Sequence, residues 1–313
     1  MKTISVIIIS YNQEDTISRC LDSILCQSEH GLKEIVVCDD CSKDRTWEIL
    51  QFYRGHYPDI VRVYRNEKNL GIYANSQKAL SLRGEADLYH QLAGDDALCD
   101  GWFDEIQKYA SQNSIDMSIP IGIYCDWKMI DPRGKEIIFK QNKIAKGFSP
   151  YSLYLRGMAC NRSLLVNNEV LKRYLPVVLD RGLRLAESIY DSQDHLIVEK
   201  AFYVPFVASI YYCQKGISLV LKDIEPDYRT EQVITTCQYH ISHFVTDKRD
   251  EYYENYCIEL VKYNQKPTVN SFIKVICFFY KGKIKGMKYS LNDYWNGFRP
   301  LLHPLASILR IVN

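Results

Sequence analysis

The sequence predicts an α/β protein, a mixed and mostly parallel sheet flanked by helices, followed by a helical C-terminal extension. Three observations predict it. Short apolar runs at 4–10, 34–38 and 88–92 are too brief to cross a membrane and read as buried strands. Between them lie helical patterns such as Ile17, Leu21, Ile24 and Leu25, whose spacing puts all four on one face. Strand and helix therefore alternate, which argues for parallel strands with helices on both sides of the sheet. Each run also ends in a polar or acidic cluster: Tyr11-Asn12, then Asp39-Asp40-Cys41-Ser42-Lys43-Asp44, then Ala93-Gly94-Asp95-Asp96. In such sheets ligands bind beyond the carboxyl ends of the strands, where these clusters fall.

Taken in order, strands are expected near 4–10, 34–38, 60–64 and 88–92, joined by helices near 14–27, 44–57, 72–83 and 101–112. Residues 1–112 thus form the first half of a domain. The segment 119–138 alternates apolar and polar residues around Asp131-Pro132-Arg133-Gly134, a turn sequence, and predicts a hairpin. Residues 113–220 complete the domain, with two helical patterns and a strand at 203–212. From 221 to 313 the chain reads as helical and finally basic. Between Lys262 and Asn313 stand Lys262, Lys266, Lys274, Lys281, Lys283, Lys285, Lys288, Arg299 and Arg310 against Asp293 alone, nine cations to one acid and a local charge near +8. Aromatic residues such as Phe272, Phe278, Tyr280 and Trp295 are interleaved with them. Such a region suits an anionic membrane surface, where cations meet head groups and rings sit at the boundary. It suits equally a helical subdomain with a solvated face. No stretch is long enough to span a bilayer.

Bulk properties narrow the function. A net charge of +1 over 313 residues supplies no global field for nucleic acid. Met1-Lys2-Thr3 runs straight into the first strand without a signal-peptide pattern, and the eleven cysteines are scattered. A reduced, cytoplasmic setting is expected, with any membrane contact peripheral and on the inner face. Cys38 and Cys41 form a C-x-x-C, but no second pair has metal spacing. His240 and His243 share a helix face without a third ligand and read as surface or packing residues. There is neither a G-x-x-x-x-G-K-[ST] nor a G-x-G-x-x-G after the first strand, so no phosphate cradle of those kinds.

Ser10-Tyr11-Asn12, Val37-Cys38-Asp39-Asp40-Cys41-Ser42-Lys43-Asp44, Asn69-Leu70-Gly71 before a helix, and Leu92-Ala93-Gly94-Asp95-Asp96 stand in a distinctive order and spacing. Together they resemble the family 2 glycosyltransferases, which have the Rossmann-like GT-A fold. The resemblance covers about residues 1–215. It implies inverting, metal-dependent transfer of a sugar from a nucleotide-diphosphate donor, with UDP the expected nucleotide. The implied acceptor is a hydroxyl of a saccharide, or of a polyprenyl-diphosphate-linked saccharide, in the synthesis of a surface polysaccharide such as O-antigen or capsule.

Each chemical task maps to a cluster. For a pyrimidine, a ring can stack and a carboxylate can accept the N3 hydrogen, which makes Tyr11 and Asp40 the candidates. The resemblance adds Asp39, Glu14 and Asp95 to the donor pocket, with Asn69 and Gly71 approaching from the side. For the diphosphate, Asp95 and Asp96 stand where the family carries its D-x-D motif, and hard oxygen ligands suit Mn2+ or Mg2+. Ala93 stands where the first Asp of that motif would be. Asn75-Ser76-Gln77 replaces an Ala-Arg-Asn triplet found in many relatives. For proton removal the resemblance implies a carboxylate at the start of a helix in the second half, matched best by Asp194 in Gln193-Asp194, with Asp191 and Glu187 as fallbacks. Helix capping is the structural alternative for these aspartates. A sugar nucleotidyltransferase would want a Gly-rich, Arg-containing loop after the first strand, and Ser10–Glu14 offers none. A non-catalytic, membrane-docked nucleotide-binding partner is the other reading, which Ala93 keeps open.

Overall fold

The computed structural model describes residues 1–154, 160–174, 193–213, 234, 237–239, 241–242, 245, 248–266 and 268–284. The chain divides into two compact units, Met1–Lys222 and Asp223–Asn313.

In the first unit the strands are β1 (Ile4–Ser10), β2 (Leu32–Asp39), β3 (Val61–Arg65), β4 (Leu88–Ala93), β5 (Ala97–Leu98), β6 (Ile121–Ile130), β7 (Glu136–Phe139), β8 (Leu164–Asn167) and β9 (Lys200–Tyr212). They form one sheet in the order β3-β2-β1-β4-β8-β6-β9-β5, with β7 paired to β6. The helices among this unit's described residues are α1 (Ile17–Leu25), α2 (Thr46–His56), α3 (Ile72–Ser81), α4 (Trp102–Gln112), α5 (Pro150–Tyr154) and α6 (Asn168–Leu171), and a further short helix spans 193–197.

The apolar run of β1 has a physical cause. This strand pairs in parallel with both β2 and β4, so that Ile7 lies beside Val36 on one side and Gln91 on the other. Its side chains alternate between two cores. Val6 and Ile8 join Leu21, Leu50 and Trp102 from α1, α2 and α4, whereas Ile7 joins Ala79, Leu153 and Val170 from α3, α5 and α6. A strand buried on both faces is mostly apolar, and each buried apolar side chain contributes about 1.5–3 kcal/mol; the buried Ser5 is satisfied by donating to Glu34 at 2.9 Å.

Parallel pairing is interrupted at β8, which is antiparallel to both β4 and β6. The sequence reading did not anticipate β8, because four residues between polar neighbours show no period. The expected hairpin forms from β6 and β7, where Trp127 and Phe139 stack with centroids 4.1 Å apart. Strand β9 runs parallel to β6 and begins three residues before the expected 203. Its far end pairs with β5 through Ala97–Ile210 and Leu98–Ser209. The chain that leaves β4 is thereby held against the end of β9.

In the second unit α7 (Lys248–Gln265) packs on α8 (Val269–Ile284), with Tyr256 and Phe279 rings 5.6 Å apart and Tyr263 and Phe272 rings 6.2 Å apart. Among the described residues no helix is long and apolar enough to cross a membrane. The basic chain beyond Ile284, together with His240 and His243, lies outside the described residues.

Candidate active site

The loops after β1 and β2 are built as one frame. Asn12 and Cys41 adopt φ of 52° and 62°, left-handed turns that reverse the chain just past each strand. The Asn12 amide donates to Ser42 Oγ at 2.9 Å, and Asn12 Oδ1 accepts from the Lys43 amide at 2.8 Å. Glu14 accepts from the Arg45 amide at 2.9 Å, while its own amide donates to Asp44 at 3.1 Å. Tyr11, 43% exposed, is left facing solvent at the end of β1.

The two aspartates expected in the donor pocket are both buried. Asp39 accepts from the Ser42 hydroxyl and, at 3.1 Å, from the Ser42 amide, and it pairs with Arg65 at 3.4 Å. Both its oxygens are engaged by the loop. In Asp40, Oδ1 accepts from Asn66 Nδ2 at 2.7 Å and from the Leu70 amide at 2.8 Å, while among the described residues Oδ2 accepts only from the Gly71 amide at 2.8 Å. One lone-pair site on Oδ2 is therefore left for a donor such as a base N–H. Gly71, with φ of 84°, begins α3 in a conformation that side chains disfavour. Asn69 is exposed beside it. Asn75, in the departing triplet, is buried and donates to the Cys38 carbonyl at 3.0 Å, tying α3 to the end of β2.

Beyond β4, Asp95 is half-buried and Asp96 is 6% exposed. Burial raises both carboxyls, and repulsion from Asp95 helps to push Asp96 up to about 7. The protein partner of Asp96 Oδ1 is a distant one, the Tyr212 amide at 3.4 Å. Two guanidiniums offset the pair. Arg19 of α1 lies 3.7 Å over the Tyr212 ring and donates to the Asp95 carbonyl at 2.8 Å, and its Nε is buried without a partner. Arg162 lies 4.1 Å over Tyr211 and 5.2 Å from the Trp127 ring, close enough to lower both carboxyls. Gly94 lets the loop approach α1 closely, since a Cβ there would sit 2.4 Å from Gln13 Oε1 and 2.8 Å from Ile17 Cδ1 and would make those side chains shift.

Among the described residues no three His, Cys, Asp or Glu side chains gather round one point. The residues that could hold a divalent cation are Asp95 and Asp96. They fit one whose other ligands come from phosphates and water, because two carboxylates offset by two guanidiniums leave a cation short of negative charge that a diphosphate would supply.

Asp194 lies in the short helix at 193–197 and is 3% exposed. It accepts from the Tyr174 hydroxyl and, at 2.8 Å, from Asn161 Nδ2. Desolvation pushes it up to about 7, against the lowering effect of Tyr174. Next to it His195 bridges Tyr124, at 2.9 Å, and Asn161 Oδ1, at 2.6 Å, and burial drops the imidazole to about 3. Asn161 and Arg162 are consecutive in one 3-10 turn, so a single turn touches Asp194 on one side and the field of Asp95 and Asp96 on the other. The fallbacks Asp191 and Glu187 lie outside the described residues.

The model of glycosyl transferase family 2 matches residues 5–173, more than half of the chain. The chain belongs to this family. An 82-residue stretch of this family 2 chain is 38% identical to uncharacterised proteins of Mycobacterium bovis and Mycobacterium tuberculosis. That stretch covers 26% of this chain and about a quarter, 24%, of theirs. The poly(ribitol-phosphate) beta-N-acetylglucosaminyltransferase TarP of Staphylococcus aureus is 26% identical over 188 residues, 58% of this chain and 51% of TarP. Among solved structures, S. aureus TarS 1-349 in complex with UDP-GlcNAc superposes with a TM-score of 0.59 at 16% identity, over 91% of this chain and 82% of that one. That likeness establishes the GT-A fold.

The sequence singled out the carboxylates at these positions but not the residues that contact them. Arg19, Asn161, Arg162 and Tyr174 are isolated polar residues with no spacing signature. Cys38 and Cys41 are both free thiols, and burial pushes Cys38 up to about 11. A thiol so hard to ionise is a poor redox or metal ligand.

Proposed function

We propose that this chain is an inverting, metal-dependent glycosyltransferase that uses a UDP-sugar. Its acceptor is a hydroxyl of a saccharide, or of a lipid-linked saccharide, in surface-polysaccharide assembly. The 3-10 turn at Asn161–Ser163 is the strongest support, because it couples a buried carboxylate of raised pKa to a second carboxylate pair flanked by two guanidiniums. Enzymes separate the task of base from that of charge neutralisation in this way. The names of TarP and TarS, one acting on poly(ribitol-phosphate) and the other solved with UDP-GlcNAc, support the donor and the setting.

In the proposed reaction Tyr11 stacks on the base while the open Oδ2 site of Asp40 accepts its N–H. Asp39 and Glu14 act as positioning residues that hold the two loops together, and Asn69 with Gly71 closes the side of the pocket. The acceptor oxygen attacks the anomeric carbon from the face opposite the diphosphate, and its proton passes to Asp194. The bond from that carbon to the diphosphate oxygen breaks with both electrons leaving on UDP, so the configuration inverts. Arg162 faces the leaving diphosphate. Mn2+ or Mg2+ held by Asp95 and Asp96 would supply further Lewis-acid neutralisation there.

The test is a thermal-shift and nucleotide-release screen of UDP-, GDP- and dTDP-sugars with Mn2+ or with EDTA. Stabilisation and slow hydrolysis of a UDP-sugar are expected, both lost in EDTA and in the Asp95→Asn/Asp96→Asn variant. No response to any nucleotide would overturn the proposal.

A further inference from the structure

We propose that α8 carries a docking surface for an anionic lipid bilayer, on the side of the helix turned away from α7. The side toward α7 is set by Val275, Phe279 and Gly282, all buried. Val269, Ile273, Tyr280 and Ile284 are 77%, 57%, 42% and 82% exposed. Their spacings of four, seven and four keep them within about 60° of arc and along about 22 Å of helix, a single straight stripe. Cys277 is exposed on the same stripe. Of the nine large apolar side chains left exposed among the described residues, these are four; the other five lie in the first unit, Phe52 and Tyr57 at α2 and Met1, Tyr11 and Ile138 apart from them in sequence. A continuous apolar stripe on one helix calls for an occupant.

Charge selects the occupant. At 100° per residue Lys274 and Lys281 fall on one flank of the stripe and Lys283 on the other, and all three are exposed. Residues 269–284 contain no Asp or Glu. A second copy meeting this face through the same face would bring lysines together with no carboxylate between them. Anionic head groups match it, with apolar side chains entering the acyl boundary and lysines reaching the phosphates. The sequence beyond continues in kind, with Lys285, Lys288, Arg299 and Arg310 against Asp293. The surface is independent of the proposed chemistry, because it lies on the second unit and vesicle binding is read without a sugar nucleotide.

Flotation of the full chain with phosphatidylcholine vesicles, with and without phosphatidylglycerol, tests it. Binding is expected only where phosphatidylglycerol is present, weakening with salt. Ile273→Asp/Ile284→Asp and Lys274→Glu/Lys281→Glu/Lys283→Glu should each reduce partitioning by roughly a hundredfold. Thermal unfolding and UDP-sugar hydrolysis in solution should match the wild type. Equal binding to both vesicle types, no binding to either, or unchanged binding by both variants would each overturn the proposal. So would self-association of the wild type that Ile273→Asp/Ile284→Asp abolishes without any vesicle binding, which would make the stripe a contact between copies.

Discussion

Asp194→Asn separates the stability of the site from its chemistry. The wild-type carboxyl is 3% exposed and pushed up from 3.8 to about 7, chiefly by desolvation. A group whose pKa is raised by folding stabilises the protein below its unfolded pKa, and that contribution is lost as pH rises through the folded value. Three units at about 1.4 kcal/mol each make the loss about 4 kcal/mol between pH 4 and pH 7. Asparagine does not titrate, yet it can keep both bonds, its oxygen accepting from Asn161 and its amide donating to the Tyr174 oxygen. The variant should therefore fold, match the wild type within about 1 kcal/mol near pH 4, and exceed it by up to about 4 kcal/mol above pH 7. Transfer should fall by roughly a hundredfold to ten-thousandfold in kcat, with donor affinity retained. In the wild type kcat/KM should rise with pH through about 7, as the base ionises. Thermal unfolding at a series of pH values, beside initial transfer rates, measures all of this. Activity within about threefold of wild type would refute the base assignment. A stability difference that stays constant with pH would refute the buried-carboxylate argument.

Three further outcomes follow from the same geometry. Arg162→Ala should lower kcat about a hundredfold, and Arg162→Lys should recover little of it, since the planar guanidinium lies over Tyr211; steady-state kinetics checks both. Gly71→Ala should cost about 1–3 kcal/mol in denaturant unfolding and raise the donor KM, because φ of 84° is strained for alanine and the Gly71 amide holds Asp40. Asp95 and Asp96 are already offset by Arg19 and Arg162, so Mn2+ should bind weakly alone and at least tenfold tighter with UDP in calorimetry, the diphosphate restoring the missing negative charge. Equal affinity with and without UDP would refute that charge balance.

The legible part of the fold is the part where burial acts on long segments. Strands β1, β2 and β4 announce themselves because both faces are covered, and α1 because one face is. Strand β8 has Leu164–Val166 to show and then Asn167, whose side chain is not an error of pattern: it accepts from the Ile121 amide at 3.1 Å and donates to the Ile119 carbonyl at 2.8 Å. A residue that satisfies the backbone of another strand looks polar in sequence and is structural in space. The two residues of β5 are strand only because β9 passes beside them.

The same distinction runs through the site. Acidic clusters at strand ends are visible because topology puts ligands there, so Asp39, Asp40, Asp95 and Asp96 could be singled out, whereas Asp194, in a helix, was indicated by the family resemblance alone. Which of them faces a ligand depends on who else claims its oxygens. Asp39 and Asp40 look equivalent in sequence, yet Ser42 and Arg65 occupy the first while the second keeps one open position after serving Asn66, Leu70 and Gly71. The departures at Ala93 and at Asn75-Ser76-Gln77 follow the same logic. An acid and an arginine are missing from their usual places, and Arg162 brings a cation to Asp95 and Asp96 from a turn about seventy residues further along the chain. Charge balance constrains the site as a whole, whereas a motif records only one way of supplying it.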